Sequence, residues 1–493
     1  MFRKLLSIAL LLALLPIAAL AKTVNIYHTS DTHGFYFPRA IEGKQIGGFA
    51  ALAALLDSDE SHYLLLDSGD WASGTAEAKA GKGALSVQFM NKLNYNATTI
   101  GNHDFDFGDE ALLANIRKAK FDIIAANVFD SKTKTYPAGV KPFKVYLVDG
   151  KKIAVIGIGL DINNNSPLLQ VTKGRKELKK ALYEVKKQNP DAIVLLAHMS
   201  LGAAKYHSAS DPSPLKLIEG LEGINLFLGG HKHKIIEGEK AGGVVFSEPG
   251  TELLGVSKIK LDFDDTTGKL KDIKSEYIKL DISKTGEDPY IKEFAEANRN
   301  ASLDIVISKA NEALFKLNPA ADKGIIDSPL GNIFADLQKE YAGADIGLVN
   351  TGNVRGDIPK GDITKRLVEQ ISPFPNKVMA VKVNGAFLQK LAKTSFKGDR
   401  SLFQYSGMEV IYTPQGKVLS IKINGAPLDE KKMYTVATND YIAKGGAEGY
   451  MFKKIQDKNL HGNKTVTELF IDSLKANPQG IFAPATGRIT IKK

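Results

Sequence analysis

The chain has 493 residues, 43% hydrophobic and 24% charged, with a formal net charge of +10 and no cysteine. That length exceeds one ordinary core and predicts two or three domains, and the composition is that of a folded protein without a low-complexity tract. The lack of cysteine excludes disulfides and thiolate ligands, so any metal must be held by His, Asp, Glu or Asn. Lys and Arg are scattered, with no basic stripe interleaved with aromatics, which argues against a nucleic-acid polymer as partner.

At the start, Arg3 and Lys4 precede an apolar run over 5–20 that ends in Ala19-Leu20-Ala21. The pattern reads as a secretion signal (1–21) cleaved before Lys22, because the run is shorter than the roughly 20 residues that comfortably span a bilayer. The expected mature chain is periplasmic or secreted, with no stable membrane insertion. Its charge of +8 without Arg3 and Lys4 helps attract anionic substrates.

Short apolar β-rich runs then alternate with helical patterns, as α/β sandwiches require. The periodicity predicts strands over 24–29, 63–66, 97–100, 192–197 and 226–228, a peripheral strand over 256–263, and helices over 48–56, 84–93 and 173–188. Near residue 281 the pattern changes. Thr285-Gly286-Glu287-Asp288-Pro289 is a breaker, and Ile291, Phe294 and Ala295 recur at helical spacing. The predicted organisation is therefore a first domain over 22–280, a linker helix within 281–304 and a second domain over 305–493. Ser328 is placed to cap a helix that carries Pro329 in its first turn.

Polar clusters stand at the carboxyl ends of five apolar strands, where open α/β sheets present ligands. They are Asp31-Thr32-His33, Asp67-Ser68-Gly69-Asp70, Gly101-Asn102-His103-Asp104, Ala197-His198-Met199 and Gly229-Gly230-His231-Lys232-His233, and they contain five of the nine histidines. An isolated histidine is more often a surface or core residue than a ligand, but five clusters on successive strands point to metal chemistry. Neutral imidazoles and carboxylates suit Mn, Zn or Fe, and a carboxylate such as Asp70 can bridge two ions. Two ions about 3.5–4 Å apart can polarise a phosphoryl oxygen, generate hydroxide and clamp both axial oxygens of an in-line displacement. The remaining histidines, His28, His62, His207 and His461, carry no motif and read as ordinary strand, loop or surface residues; the lone Trp71 reads as packing behind Asp70.

These clusters resemble, in type and order, the Asp-x-His, Gly-Asp, Gly-Asn-His-Asp/Glu, His and Gly-His-x-His signatures of the metallophosphoesterase superfamily. The resemblance implies that Asp31, His33, Asp70 and His233 surround one metal and that Asp70, Asn102, His198 and His231 surround the other, with two divalent ions (Mn, Zn or Mg) as cofactors. It gives His103 no metal. Its imidazole pairs with an acid, Asp106, to stabilise charge on the phosphoryl group, and Asp104 receives no catalytic role.

Beyond the metal motifs the chain resembles the bacterial exported 5′-nucleotidase and 2′,3′-cyclic phosphodiesterase family. Ser328-Pro329-Leu330-Gly331-Asn332 is similar to the family's helix start, and Asn350-Thr351-Gly352-Asn353-Val354-Arg355 to the loop whose arginine grips phosphate. The implied fold is an N-terminal four-layer α/β/β/α domain and a C-terminal α+β substrate domain joined by a helix. The implied reaction is hydrolysis of 5′-nucleotides, with room for 2′,3′-cyclic and sugar nucleotides. Arg355 inherits the phosphate grip, and Tyr405 (in preference to Phe403) and Tyr441 inherit the two aromatics that sandwich the base. The match departs at Gly445-Gly446-Ala447-Glu448-Gly449, where the family reads Gly-Gly-Asp-Gly. That departure keeps a second substrate class open, the sulfur-linked esters of the di-manganese thiohydrolases. A non-enzymatic surface or adhesion protein is disfavoured, because the ligand set, His103 and Asp106 are all kept.

Overall fold

Alternation of buried side chains along the strands builds two sheets that share one apolar interior. A computed structural model describes residues 23–41, 43–160, 166–201 and 213–492; the segment expected to be a secretion signal and His207 lie outside the described residues. Val24 and Ile26 of the strand Thr23–Thr29 point to the same side as Leu64 and Leu66 of Tyr63–Asp67, and meet Val155, Val194 and Leu228 from a second sheet. On Lys151–Ile158 the residues between these, Ala154 and Ile156, face outward onto the helix Arg175–Lys186. Period-two alternation thus feeds an inner core and an outer one from the same strand.

The first sheet has seven strands in the order Leu270–Lys279, Gly255–Phe263, Thr23–Thr29, Tyr63–Asp67, Ala97–Thr98, Asp122–Ile124 and Val140–Lys141. The second has six, in the order Ile235–Ala241, Val244–Pro249, Leu226–Leu228, Ala192–Ala197, Lys151–Ile158 and Phe143–Val148. Helices Phe49–Asp57, Ala84–Lys92 and Asp109–Lys118 cover the first sheet, and Arg175–Lys186 with Pro214–Ile218 cover the second, which gives helix, sheet, sheet, helix in four layers. The strand at Gly255–Phe263 is not peripheral: it pairs with Thr23–Thr29 on one side and with Leu270–Lys279 on the other. The half-exposed pattern of Leu270–Lys279 is that of an edge strand.

After this sandwich the chain runs through Ile282–Thr285, the helix Pro289–Ala297 capped by Asp288, and a turn of 3₁₀ helix at Ala301–Asp304. A five-stranded sheet follows, ordered Phe403–Ser406, Ile346–Asn350, Met433–Asn439, Lys377–Asn384 and Lys458–Thr465. Helices Pro329–Ala342 and Val466–Ala476 pack on one face through Phe334 and Phe470. The helix Gly385–Ser395 and a four-stranded sheet close the other through Leu388, Leu391, Val410 and Tyr412. Ser328 caps its helix as the sequence predicts, its hydroxyl accepting the Gly331 N–H at 2.8 Å. Among the described residues no helix is long and apolar enough to cross a membrane.

Candidate functional site

In the first sheet Thr29 pairs with Asp67 and Asp67 with Thr98, and in the second Leu196 pairs with Leu228, all in parallel. The parallel register brings the five polar clusters out at one end of the sandwich. The turns there are tight. Asp31, His33, Asp70, His231 and His233 all have positive φ, between 49° and 78°. Non-glycine residues adopt that left-handed backbone at a cost, and such outliers gather at functional sites, where the surrounding structure enforces them. Gly230 shows how closely the turns approach, because a Cβ there would lie 2.0 Å from Ser30 Oγ and 2.6 Å from Asp31 Oδ2.

The donors fall into two groups. Ligand atoms of Asp31, His33 and His233 lie within 4.8 Å of one another, as do those of Asp70, His198 and His231. His33 donates its Nδ1–H to the Ser73 carbonyl at 2.7 Å and His198 its Nδ1–H to the Ser68 carbonyl at 2.7 Å, so each ring, when its Nε2 carries no proton, directs a lone pair inward. His33 Nε2 lies 3.2 Å from His233 Nε2, and His198 Nε2 lies 3.0 Å from Asp70 Oδ2. Asn102 Oδ1 is buried with no hydrogen-bond partner among the described residues, and His198 Nε2 is buried beside the Asp70 and Asp31 carboxylates. Acceptors held against acceptors in a buried site call for cations between them, and these N and O donors suit divalent ions. Charge agrees. Burial holds His33 well below its ordinary value and so neutral. Burial also opposes charge on His198, yet Asp70 and Asp31 raise it to about 10, a demand for positive charge at Nε2 that a divalent ion meets in place of the proton.

Asp104, given no role by sequence, organises the centre. Buried, it accepts the backbone N–H of Trp71 and Ala72 at 2.9 Å through Oδ1, and those of Asp70 at 3.0 Å and Gly101 at 2.8 Å through Oδ2. One carboxylate therefore ties the Asp70 loop to the Asn102 loop. Asp104→Ala is expected to cost about 3 kcal/mol or more of stability, since several buried donors lose their partner, and to weaken metal retention. Urea unfolding with metal analysis checks it; an unchanged midpoint would refute it. Trp71 is buried behind the same loop, as expected.

His103 stands beside the donors rather than among them. Its Nδ1–H donates to Asp106 Oδ2 at 2.9 Å and its backbone N–H to Asp70 Oδ1 at 2.7 Å. Burial works against charge on this ring, and Asp106 and Asp70 more than offset it, raising its pKa above the ordinary value. Its face stacks on Phe374, with ring centroids 5.4 Å apart, and the Arg355 guanidinium lies 5.7 Å from the centre of the same Phe374 ring. Arg355 Nη2 reaches to 3.5 Å from His33 Nε2. A cleft lined by His33, Phe35, Ser73, Glu252, Arg355 and Phe374 joins the two halves of the chain. Phe374 carries no motif in the sequence, where Pro373-Phe374-Pro375 reads as a turn.

The expectation for Tyr405 needs correction. Tyr405 is fully buried, with its hydroxyl 3.0 Å from Ser395 Oγ, and Phe403 is buried beside it in the same core. Both lie on the strand Phe403–Ser406 two residues apart, so both face inward, while Gln404 turns to the other side and accepts the Ser328 N–H at 2.7 Å. Tyr441 is half-buried, at the start of the helix Asp440–Ala443. The strand before it runs parallel to Ile346–Asn350, which leads to Arg355, and Asn439 Nδ2–H donates to Asn350 Oδ1 at 3.1 Å. The Glu448 side chain lies outside the described residues. Of the histidines without a motif, His28 is buried, held down to about 3 by burial, and donates Nε2–H to Ser68 Oγ at 2.7 Å. His62 is exposed beside Asp149, and His461 packs edge-on against Tyr341.

Known proteins share both halves. The calcineurin-like phosphoesterase family model matches residues 24–235, and the 5′-nucleotidase C-terminal domain model matches residues 306–454. The chain thus matches a calcineurin-like phosphoesterase domain in its first half and a 5′-nucleotidase C-terminal domain in its second. These two matches indicate a hydrolase, and the phosphoesterase fold accounts for the two clusters of divalent-metal donors. The trifunctional nucleotide phosphoesterase protein YfkN of Bacillus subtilis is 27% identical over 94% of this chain, which spans only 35% of that protein. The 5′-nucleotidase of Vibrio cholerae is 26% identical over 94% of this chain and 92% of its own length. In structure, a 5′-nucleotidase precursor from Thermus thermophilus matches 95% of this chain and 99% of that chain, with a TM-score of 0.83 and 26% identity. The sulfate thiohydrolase SoxB of Thermus thermophilus, 15% identical, covers 95% of this chain and 96% of that chain with a TM-score of 0.77 and shares the fold.

Proposed function

We propose that this 5′-nucleotidase relative hydrolyses 5′-nucleotides to nucleoside and phosphate outside the cytoplasm, after cleavage before Lys22. The proposed organisation is a metallophosphoesterase domain over 22–280, a linker within 281–304 and a nucleotide-binding domain over 305–493. Asp31, His33, Asp70 and His233 would hold one divalent ion, and Asp70, Asn102, His198 and His231 the other, with Mn, Zn or Mg as occupants. When bound, such a pair supplies positive charge against phosphoryl oxygens and makes water nucleophilic at neutral pH.

The observation that carries this reading is the approach of Arg355 to the donor cluster, 3.5 Å from His33 Nε2. A guanidinium engages phosphate oxygens bidentately, so a phosphate held by Arg355 lies over the metal donors and beside His103. Protonated His103, steadied by Asp106, then stabilises charge on the phosphoryl group and gives its proton to the departing ribose oxygen. Water adds to phosphorus as the P–O(ribose) bond breaks, and nucleoside and phosphate leave. Tyr441 stacks on the base. With Tyr405 in the core, Phe374 and Phe35 are aromatics that line the cleft.

Tyr441→Ala is expected to weaken AMP turnover by roughly 1–3 kcal/mol in kcat/KM, the worth of one base–aromatic stack, while a small aryl phosphate is hardly affected. Arg355→Ala is expected to slow both substrates, because each presents the same phosphate. An unchanged AMP to aryl phosphate ratio in Tyr441→Ala would remove the nucleotide from its privileged place and favour a sulfur-linked ester instead.

A further inference from the structure

Away from the metal donors, one cluster of charged side chains joins the two domains. Arg366, on the helix Lys365–Ile371, donates Nε–H to Asp304 Oδ1 at 2.6 Å and Nη2–H to Asp304 Oδ2 at 3.2 Å and to the Asn300 carbonyl at 3.1 Å. Its Nη1–H donates to Glu77 Oε1, on the helix Ala76–Ala80 of the N-terminal domain. The pair is nearly sealed from solvent, with the Glu77 side chain 4% exposed and that of Arg366 13%. The same Glu77 oxygen accepts the Asn300 N–H at 3.3 Å. Lys79 and Glu369 form a second cross-domain pair at 3.7 Å, and the Phe37 ring lies 5.6 Å from the Arg366 guanidinium and 5.1 Å from that of Arg299.

Each of the two helices is directly tied to an active-site group. Thr75 caps Ala76–Ala80 while its hydroxyl donates to the Gly34 carbonyl at 2.8 Å, and Ser73 just before it receives the His33 Nδ1–H. At the far end of Lys365–Ile371, the Ile371 carbonyl accepts the Arg355 N–H at 2.8 Å, and Gln370, Pro373 and Phe374 line the cleft. The ion pair therefore links the loop that orients His33 to the helix whose last carbonyl holds the Arg355 backbone and which leads directly into Phe374.

We infer that Glu77 and Arg366 are positioning residues, whose ion pair seats Arg355 and Phe374 against His33 and His103. The inference rests on Arg355 engaging the substrate phosphate. Removing Arg366 leaves Glu77 buried and uncompensated, and neutralising Glu77 cuts the tie between Arg366, still paired with Asp304, and the N-terminal helix, so in either case the seated arrangement loses population. A binding-competent fraction cut to about one tenth raises apparent KM about tenfold, while kcat at saturation is almost unchanged.

The test uses Arg366→Met, the isosteric Glu77→Gln, their double variant and Arg366→Lys, which keeps the charge. KM and kcat are measured with AMP. In parallel, electron-spin distances are measured between labels at Lys118→Cys and Lys475→Cys, both exposed positions in a chain free of cysteine. Expected are a KM raised about tenfold in each single variant, no further rise in the double, substantial return in Arg366→Lys, and a broadened inter-label distance wherever KM rises. A raised KM without broadening, broadening without a raised KM, or additive effects in the double variant would each overturn the inference. The label distances report on the ion pair even if Arg355→Ala disproves the phosphate grip, so the two failures are distinguishable.

Discussion

Asp70→Asn is expected to abolish most phosphate release and to lower bound metal in the same protein. Asp70 lies in the second donor group, its Oδ2 is 3.0 Å from His198 Nε2, and its backbone carbonyl accepts the His33 N–H of the first group at 2.9 Å. Burial alone would raise its pKa, yet the neighbouring histidines, His198 foremost, hold it well below the carboxylate range. It therefore presents a full negative charge where the proposed pair of cations would sit, and an amide supplies none. The loss should be on the order of 10³-fold or more in kcat, beyond the 10–100-fold that changes behind the ligands cost. Elemental analysis beside a phosphate-release assay checks it, and full metal content with normal turnover would contradict it. The fold should survive, because the strands that present Asp70 are held by the apolar core between the sheets.

His103→Ala should fail differently, keeping its metal and losing roughly 10²–10⁴ in turnover, the range for a positioned acid–base group. Its ring donates to Asp106 and stacks on Phe374, and neither donor group includes it. The pH profile gives a second check. A protonated His103 is the working form and its pKa is raised, so activity is present below that pKa and lost as pH rises through it. Asp106→Asn removes an interaction that raises the pKa, so the alkaline limb of kcat/KM should move toward acid. Metal loss in His103→Ala equal to that in Asp70→Asn would make His103 a ligand. An alkaline limb unmoved in Asp106→Asn would assign that limb to another group.

The strand ends that carry the metal donors were legible in the sequence, whereas the strand Lys151–Ile158, which sends Ile153 and Val155 to one core and Ala154 and Ile156 to another, is not among the strands the sequence predicts. Parallel strands place their carboxyl ends together, so motif order along the chain became proximity in space. What escaped sequence reading depended on direction and partner choice. Asp104 looks like any acid after a histidine, and its backbone donors become visible only when the Asp70 and Asn102 loops meet. The left-handed backbone at Asp31, His33, Asp70, His231 and His233 leaves no composition signal, since none of these is glycine. Tyr405 was misplaced because an aromatic next to a polar residue in a short strand fits either phase of a period of two, and here the core took it. The Glu77–Arg366 pair spans 289 positions and carries no motif at either end.

Hydrolysis at one pair of ions is tested most directly by titrating metal back into the chelated protein while following phosphate release from AMP. Activity is predicted to vanish on chelation without unfolding, to return as Mn, Zn or Mg is added, and to reach its full value at two equivalents per chain. Phosphate release that persists in protein shown by elemental analysis to be metal-free would contradict it.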